Sequence, residues 1–313
     1  MNIKTAEFVS PKHPDKVCDI IADTLLDAYL EQDPSSRAAI EAMGGHGLVT
    51  VTGEVTSNAK IDPEKIIKGV VNEDYLLNVK ITQQSKFIAQ GVDAGGAGDQ
   101  GIMTGYATRD TDNYMPKEYE LARGLCEFLF AKFPYDGKTQ ITLADGRVQT
   151  AVASFQNTHN DELRAAIRSF IEADEYLVNP AGEWFSGGFD ADSGLSGRKI
   201  VVDNYGPEVS VGGGSFSGKD WTKVDRSGAY MARRIAVDLL EKNPGAKTVR
   251  TKLAYAIGKK EPVMAAAEID GVQQAIEGYD LSPKGIYNFL ELGKVKFAQA
   301  AQWGHFGRGF TWK

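Results

Sequence analysis

Strand patterns and amphipathic helix patterns alternate along the whole chain, and this alternation restricts its fold more than any other feature. Apolar residues recur every three or four positions over residues 15–33, which predicts a helix with one buried face. The β-branched run Leu48–Thr56 predicts a strand, and Asp62-Pro63 begins another helix. Because no low-complexity linker interrupts the 313 residues, we expect the elements to pack into one body.

The same order of elements returns twice. Helices are predicted over residues 116–133, 161–173, 222–242 and 283–292, and strands over residues 139–143, 199–203 and 249–257. Three stretches of similar length therefore carry similar content, although their sequence similarity is too weak to prove a repeat. This pattern predicts an α+β or mixed α/β fold in which helices cover one face of each sheet.

Composition excludes several classes of protein. The net charge of −7 argues against non-specific binding to nucleic acid, and no apolar run approaches the length of a membrane span. Cys18 and Cys126 both fall within apolar helical patterns, so we expect buried thiols in a reducing, cytoplasmic setting. The 4 histidines are scattered, which argues against a zinc site.

A glycine-rich segment at residues 212–220, followed by Lys223 and Asp225, has the composition of a polyphosphate cradle. Glycines let backbone N–H groups approach an anion closely, and lysines supply point charges for phosphates. An aspartate can hold Mg²⁺. The alternative is a flexible glycine hairpin with solvated charges, and the segment alone does not decide between the two.

The sequence partly matches two standard nucleotide-binding motifs but completes neither. Residues 213–219 fit the start of a P-loop, but the next residue is Asp220 and not the Ser or Thr whose hydroxyl binds Mg²⁺. Residues 96–101 fit G-x-G-x-x-G, but residues 102–108 do not continue as a helix, and Asp99 would face a pyrophosphate with like charge. Neither motif therefore predicts its usual fold.

Two further segments concentrate charge. His13-Pro14-Asp15-Lys16 opens the first predicted helix, where the helix end and the basic groups can bind an anion while Asp15 holds a metal. Arg198 and Lys199 follow a glycine-containing turn after Asp192, where they can bind a phosphate tail. A helix cap in the first segment and surface charge in the second remain the simpler interpretations.

Taken in order, these segments resemble the S-adenosylmethionine synthetase (methionine adenosyltransferase) family. The motifs occur in the family's order and extend over nearly the whole chain. They are His13-Pro14-Asp15-Lys16, Gly53-Glu54, Gln90-Gly91-Val92-Asp93 and residues 96–101, 105–108, 194–199, 212–219, 223–227 and 304–308.

The resemblance implies synthesis of S-adenosylmethionine from ATP and L-methionine, followed by hydrolysis of the triphosphate to phosphate and pyrophosphate. It implies two Mg²⁺ and one K⁺ per site. The implied fold has three similar α+β subdomains about a pseudo-threefold axis, here residues 1–93, 94–186 and 187–313. The resemblance also implies a homodimer with shared active sites, with His13 and Glu54 from one subunit and Asp192, Lys219 and Lys223 from the other.

The resemblance also assigns roles to single residues. Those implied in catalysis are His13, Lys138, Arg198 and Lys219. Those implied in ATP binding are His13, Asp136, Lys138, Trp184, Asp192, Arg198, Lys199, Ser215 and Lys219. Those implied in methionine binding are Glu54, Gln90, Asp99, Asp192 and Lys223. Asp15 and Asp225 are the implied Mg²⁺ ligands, and Glu41 is the implied K⁺ ligand.

The sequence departs from the family pattern in several places, and two of them bear on the site. Only Ala94 and Gly95 separate two motifs that a longer mobile gate usually separates. Trp184 stands where the family has a phenylalanine that stacks on adenine, and Glu183 before it reverses a charge. Two other functions remain as alternatives, namely another ATP-dependent phosphotransferase and a non-catalytic ATP-binding protein.

Overall fold

The computed structural model describes residues 2–71, 74–84 and 95–313. Twelve strands and eight α-helices are defined in these residues, with two short 3₁₀ helices at Gly188–Asp190 and Leu292–Lys294. The strands are β1 (Ile3–Val9), β2 (Arg37–Gly45), β3 (Leu48–Thr56), β4 (Leu76–Thr82), β5 (Gly101–Thr108), β6 (Gly137–Ala144), β7 (Arg147–Phe155), β8 (Glu175–Val178), β9 (Gly194–Leu195), β10 (Thr248–Tyr255), β11 (Met264–Ile269) and β12 (Val272–Ala275). The helices are α1 (Pro14–Gln32), α2 (Pro63–Val70), α3 (Lys117–Lys132), α4 (Asn160–Phe170), α5 (Ile200–Asp203), α6 (Val224–Lys242), α7 (Pro283–Phe289) and α8 (Phe297–Gln302).

The strands form three four-stranded sheets, in the orders β4-β3-β2-β9, β1-β6-β7-β8 and β12-β11-β10-β5. One long helix packs on each sheet: α1 on the first, α3 on the second and α6 on the third. In the first two sheets a helix, α2 or α4, connects strands that run parallel. The third sheet has an antiparallel β11–β12 hairpin in that place. The α+β architecture with three similar sheet-and-helix units is therefore confirmed.

Each sheet takes one edge strand from another part of the chain. β1 pairs with β6, β5 with β10, and β9 with β2. The first third thus completes the second sheet, the second third completes the third sheet, and the last third completes the first. This cyclic exchange is the pattern that an approximate threefold arrangement produces. The division into residues 1–93, 94–186 and 187–313 stays a prediction, because every sheet combines strands from two of these stretches.

Helix and strand predictions agree with the structure except at one place. Residues 199–203 were predicted to be a strand, and this prediction is wrong, because Ile200–Asp203 is helical. The β-branched run favours a strand on propensity alone. The turn is instead held by Asp203, whose carboxylate accepts a hydrogen bond of 2.6 Å from the buried Lys16 ammonium. The predicted burial of Cys18 and Cys126 is confirmed.

The contact between β5 and α6 leaves no room for a side chain at Gly105. A Cβ at this position would lie 2.1 Å from the carbonyl oxygen of Ala232. We therefore expect Gly105→Ala to push strand and helix apart and to lower the free energy of unfolding by about 1–3 kcal/mol. Thermal or urea denaturation measures the change.

Gly69 in α2 provides the matched control, since a Cβ there meets nothing within 4 Å. Gly69→Ala is expected to leave stability unchanged or to raise it by roughly 0.5–1 kcal/mol, because alanine is the better helix former. Equal effects of the two substitutions would contradict the close contact at Gly105.

Candidate active site

The N-terminus of α1 presents His13 as a neutral hydrogen-bond donor. His13 caps the helix, with its Nδ1 accepting the Asp15 backbone N–H at 3.2 Å. Because Nδ1 accepts, the ring proton of a neutral His13 must lie on Nε2. Burial, together with the positive charges of Lys199 and Lys138, lowers the pKa of His13 to about 3. His13 therefore offers an Nε2–H donor without carrying a charge.

Asp15, in the first turn of α1, is held by two basic residues and one backbone amide. Its Oδ2 contacts the Lys199 ammonium, and its Oδ1 accepts the Leu195 N–H at 2.9 Å. The Arg198 guanidinium lies 3.6 Å from Oδ1. Burial alone would raise the pKa of Asp15, but the hydrogen bonds from Lys199 and Leu195 and the charge of Lys199 lower it overall. The side chain is an anionic oxygen donor, which is the ligand type that Mg²⁺ prefers.

Lys138 reaches the same place from the second sheet, since it lies opposite Val9 of β1 and Ser154 of β7. The exposed Lys138 and Asp192 both act on the His13 ring by their charges. Nearby, Asp136 is buried and accepts the Gly188 N–H at 2.9 Å. The loop at Gly188 is thereby tied to the start of β6.

Trp184 also belongs to this region. Its Nε1 donates to Ser154 Oγ at 3.0 Å, and Ser154 is the cross-strand partner of Lys138.

Glu183 has a local role that the sequence did not reveal. Its carboxylate accepts the Asn160 N–H at 2.8 Å at the start of α4 and contacts His159 Nδ1 at 3.0 Å. The reversed charge at Glu183 therefore serves to cap a helix.

We call these residues the His13 group. Its members share a position around the N-terminus of α1 and the adjoining edge of the second sheet. They are His13, Asp15, Asp136, Lys138, Trp184, Asp192, Arg198 and Lys199.

The glycine-rich segment folds over Asp225, the second residue of α6. One carboxylate oxygen of Asp225 accepts the Gly214 N–H at 3.0 Å, and the other contacts the Lys219 ammonium at 2.9 Å. Ser215 lies against Gly197, where a Cβ would be 2.4 Å from that of Ser215. The segment is therefore packed against the motif that carries Arg198, and the alternative of a freely flexible hairpin does not describe it.

Two more of the expected residues, Glu41 and Glu54, lie on the sheet beside Lys219. The backbone of Lys219 forms an isolated antiparallel β-bridge with Ala39 of β2. Ala39 is in turn the cross-strand partner of Glu54 on β3. Glu41, two residues further along β2, accepts a hydrogen bond from the Ser196 hydroxyl. Because side chains two residues apart in a strand share a face, Glu41, Glu54 and Lys219 lie on one face of the first sheet.

Lys223 and Asp99 complete this second set. The Lys223 ammonium pairs with Asp220, a fully buried carboxylate that also accepts the Ala38 N–H at 2.7 Å. Asp99 is exposed, and the N–H of the preceding Gly98 reaches the Thr222 carbonyl at 3.3 Å. We call the set the Lys219 group, which comprises Glu41, Glu54, Asp99, Ser215, Lys219, Lys223 and Asp225.

Within one chain, two residues lie beside groups that were expected to act with them only across subunits. Asp192 was expected to act with Lys219, but in one chain it lies with His13. Glu54 was expected to act with His13, but it lies on the sheet face next to Lys219. The division of the site between two subunits therefore stays a prediction. Gln90 and the shortened gate at Ala94 lie outside the described residues.

Neither the P-loop-like segment nor the G-x-G-x-x-G segment has the geometry of the standard nucleotide-binding motif. The residues after Gly101 form strand β5, and a dinucleotide-binding motif would need a helix there. After Lys219 the chain makes further turns, and α6 begins only at Val224. A P-loop lysine would stand at the start of its helix.

Several residues that build the site were missed. Asp19 accepts the Gly197 N–H at 2.9 Å, and Asp23 accepts the Gly218 N–H at 2.8 Å. Asp15, Asp19 and Asp23 follow one another at four-residue spacing on α1. That spacing was the available signal, since acids on a buried helix face need partners.

Within the described residues, no group of three or more His, Cys, Asp or Glu side chains could hold a metal by itself. In the same part of the chain, no helix is long and apolar enough to cross a membrane.

The protonation of His13 is open to direct measurement. We expect its ring ¹⁵N resonances to stay constant from about pH 5 to about pH 9, because the ring remains neutral throughout. His159 is the internal control: its hydrogen bond to Glu183 raises its pKa above the ordinary 6.5, so its ring should titrate. NMR on histidine-labelled protein, assigned with His13→Gln, makes the comparison. A His13 midpoint near neutrality would contradict the buried, neutral ring.

Comparisons with known proteins show the family to which the chain belongs. The family models for S-adenosylmethionine synthetase match in order: the N-terminal domain over residues 1–90, the central domain over 94–184 and the C-terminal domain over 186–313. The S-adenosylmethionine synthase of Nocardioides sp. is 39% identical, and the alignment covers 99% of this chain and 95% of that protein. The S-adenosylmethionine synthase of Mycoplasmopsis synoviae is 38% identical, with 99% of this chain and 94% of that protein covered.

A solved structure is also similar. The structure titled "an Unusual S-adenosylmethionine synthetase from Campylobacter jejuni" matches with a TM-score of 0.89 at 30% identity, covering 100% of this chain and 96% of that one. The alignment with the Nocardioides protein runs over 377 positions, so that relative contains segments that this 313-residue chain lacks. On sequence and structure together, the chain belongs to the S-adenosylmethionine synthetase family.

Proposed function

We propose that the chain makes S-adenosylmethionine from ATP and L-methionine, the reaction for which its family is named, with the His13 group and the Lys219 group of different subunits enclosing the triphosphate. One observation supports this most strongly. A neutral His13 with its Nε2–H free to donate lies among Lys138, Arg198 and Lys199. A leaving triphosphate needs this combination of one directed donor and several positive charges.

The reaction is a direct displacement. The methionine sulfur forms a bond to C5′ of ATP while the bond from C5′ to the triphosphate oxygen breaks, so the bonding electrons leave with the triphosphate. His13 donates its hydrogen bond toward that oxygen, and Lys199 and Lys219 bind the phosphates. The fixed cations lower the barrier because they are already oriented when the negative charge develops. The same groups then hold the triphosphate while it is hydrolysed to phosphate and pyrophosphate.

Two Mg²⁺ fit the carboxylates of Asp15 and Asp225. In each carboxylate, one oxygen accepts a hydrogen bond from a backbone N–H and the other from a lysine ammonium. Neither carboxylate belongs to a full set of metal ligands within the described residues. Mg²⁺ commonly binds through one or two carboxylates together with substrate phosphates. When bound, the ions would neutralise phosphate charge. We assign K⁺ to Glu41, whose carboxylate lies on the open face of the first sheet beside Ser196.

The remaining assignments follow the chemistry of the two substrates. Trp184, adjoining Lys138 through Ser154, provides an aromatic face for adenine, and Asp136 and Asp192 lie on the ribose side. Methionine is a zwitterion, so we assign its ammonium to the exposed carboxylates of Glu54 and Asp99 and its carboxylate to Lys223. Gln90 belongs to this set by the sequence motif alone.

A shared site requires self-association, and the sheets offer a surface for it. Among the described residues, exposed large apolar side chains occur on strands of all three sheets. They are Ile3, Met43, Leu48, Leu76, Ile102, Leu177, Leu195, Met264 and Val272. In the first sheet Met43 is the cross-strand partner of Leu195, and Leu48 is that of Leu76. Contiguous exposed apolar side chains of this kind mark protein–protein interfaces. We propose a homodimer through these faces, acting in the cytoplasm, where the buried thiols stay reduced.

One experiment separates this function from its alternatives. The protein is incubated with ATP, L-methionine, Mg²⁺ and K⁺, and the products are identified by mass spectrometry. We expect S-adenosylmethionine, phosphate and pyrophosphate, formed only when methionine is present. A phosphorylated product without methionine would support a phosphotransferase, and bound but unchanged ATP would support a non-catalytic binding protein.

The same assay tests the role of Asp225. Asp225→Asn keeps the size of the side chain but removes the charge that would hold Mg²⁺, so we expect turnover to fall at least about a hundredfold, roughly 3 kcal/mol of transition-state stabilisation. Asp238→Asn is the control on the same helix, since Asp238 pairs with Arg234 and contacts Tyr279 but no residue of either group. Its turnover should change less than about twofold. Near-normal turnover of a folded Asp225→Asn protein would contradict the assignment.

A further inference from the structure

Behind the glycine-rich segment lies an ion pair that no step of the proposed reaction uses. The Arg226 guanidinium donates from Nη1 to Asp23 Oδ1 at 2.8 Å and from Nη2 to Oδ2 at 2.5 Å. Both side chains are 0% exposed. The Arg226 guanidinium also lies 4.5 Å from the centre of the Phe297 ring. The pair joins α1 to the first turn of α6.

The pair also fixes the backbone on both sides of Lys219. Asp23 Oδ1 accepts the N–H of Gly218 at 2.8 Å, and Arg226 Nη1 donates to the carbonyl of Lys219 at 2.9 Å. Gly218 has a φ of +79°, and a Cβ there would lie 1.9 Å from the Ile40 carbonyl oxygen. Only glycine fits this turn, so the turn and its two anchors place the Cα of Lys219 in one position.

The far end of the lysine is held from the same turn of α6. Asp225 contacts the Lys219 ammonium at 2.9 Å, and Asp225 and Arg226 are adjacent in the chain. Hydrogen bonds therefore hold Lys219 at both ends, from Arg226 to its carbonyl and from its ammonium to Asp225. A displacement of Arg226 moves both contacts together.

We propose that Asp23 and Arg226 are positioning residues that set where the Lys219 ammonium meets the triphosphate; this inference rests on the proposed function. A lysine is a point charge on a flexible stem, so its location depends on how firmly its backbone is fixed. A bidentate arginine–carboxylate pair fixes an orientation that a single apolar contact would leave free. Asp23 and Arg226 touch no substrate in this account and act only through Lys219.

The test compares two buried arginines of the same helix. Arg226→Lys keeps the charge but loses the fork that holds Asp23 and the Lys219 carbonyl together. Arg233→Lys is the matched control, because Arg233 is also 0% exposed but donates to the carbonyls of Tyr106, Asn113, Tyr114 and Lys313, none of which belongs to either group. Both variants should lower the melting temperature.

The readout is binding of diimidotriphosphate in the presence of Mg²⁺, measured by isothermal titration calorimetry. Its nitrogen bridges resist hydrolysis, so it reports affinity and not turnover. We expect Arg226→Lys to weaken binding at least about tenfold and Arg233→Lys to change it less than about twofold. Lys219→Ala should weaken binding as well. Because Arg226 acts through Lys219, the double variant should bind no more weakly than Lys219→Ala alone.

The outcomes are distinguishable. Unchanged affinity in Arg226→Lys, or a double variant whose loss is the product of the two single losses, would overturn the positioning role while leaving Lys219 in the triphosphate site. Unchanged affinity in Lys219→Ala would overturn that part of the proposed function and this inference with it.

If Arg226→Lys does not fold, the pair Asp23→Leu and Arg226→Met replaces it, because removing both charges leaves no unpaired ion in the core. This pair is expected to fold and to show the same loss of affinity. A folded pair with unchanged affinity would overturn the proposal.

Discussion

A row of carboxylates on α1 holds the C-terminal third of the chain in place. Asp15, Asp19, Asp23 and Asp27 follow at four-residue spacing, so they lie along one face of the helix. Each accepts backbone N–H groups from that third: Leu195, Gly197, Gly218 and the pair Phe297 and Ala298, at distances of 2.8–3.0 Å. The motif with Arg198 and Lys199 and the turn with Lys219 are both tied to this row. Both groups of site residues therefore depend on a single helix.

The site gathers positive charge without leaving it unbalanced. Lys199 pairs with Asp15, Lys219 with Asp225 and Lys223 with Asp220. Positive charges this close to one another repel, and each pairing with a carboxylate offsets part of that repulsion. His13 avoids adding a further charge by staying neutral. The folded chain can thus present several cations to one anion.

Local sequence patterns predicted the long helices because each helix buries one face. The apolar residues of that face recur every three or four positions, so the pattern can be read from neighbouring residues. The helix at Ile200–Asp203 was missed because the contact of Asp203 with Lys16 joins residues far apart in the chain. The exchange of β1, β5 and β9 between sheets is equally non-local. The motifs named the candidate site residues, but they did not reveal that Asp192 lies by His13 and that Glu54 shares a sheet face with Lys219 within one chain. Only the sheet pairing and the loop after Gly188 show which of these residues lie close together within one chain.

The central claim is that a complete site combines the His13 group of one subunit with the Lys219 group of another. Mixing two inactive variants, His13→Ala and Lys219→Ala, under conditions that allow subunit exchange tests it most directly. Each mixed dimer would contain one site with both lesions and one with neither. We expect activity to return in proportion to the mixed dimers, at roughly one intact site in each. If mass spectrometry confirms the exchange and no activity returns, each site is built within a single chain and the claim is wrong.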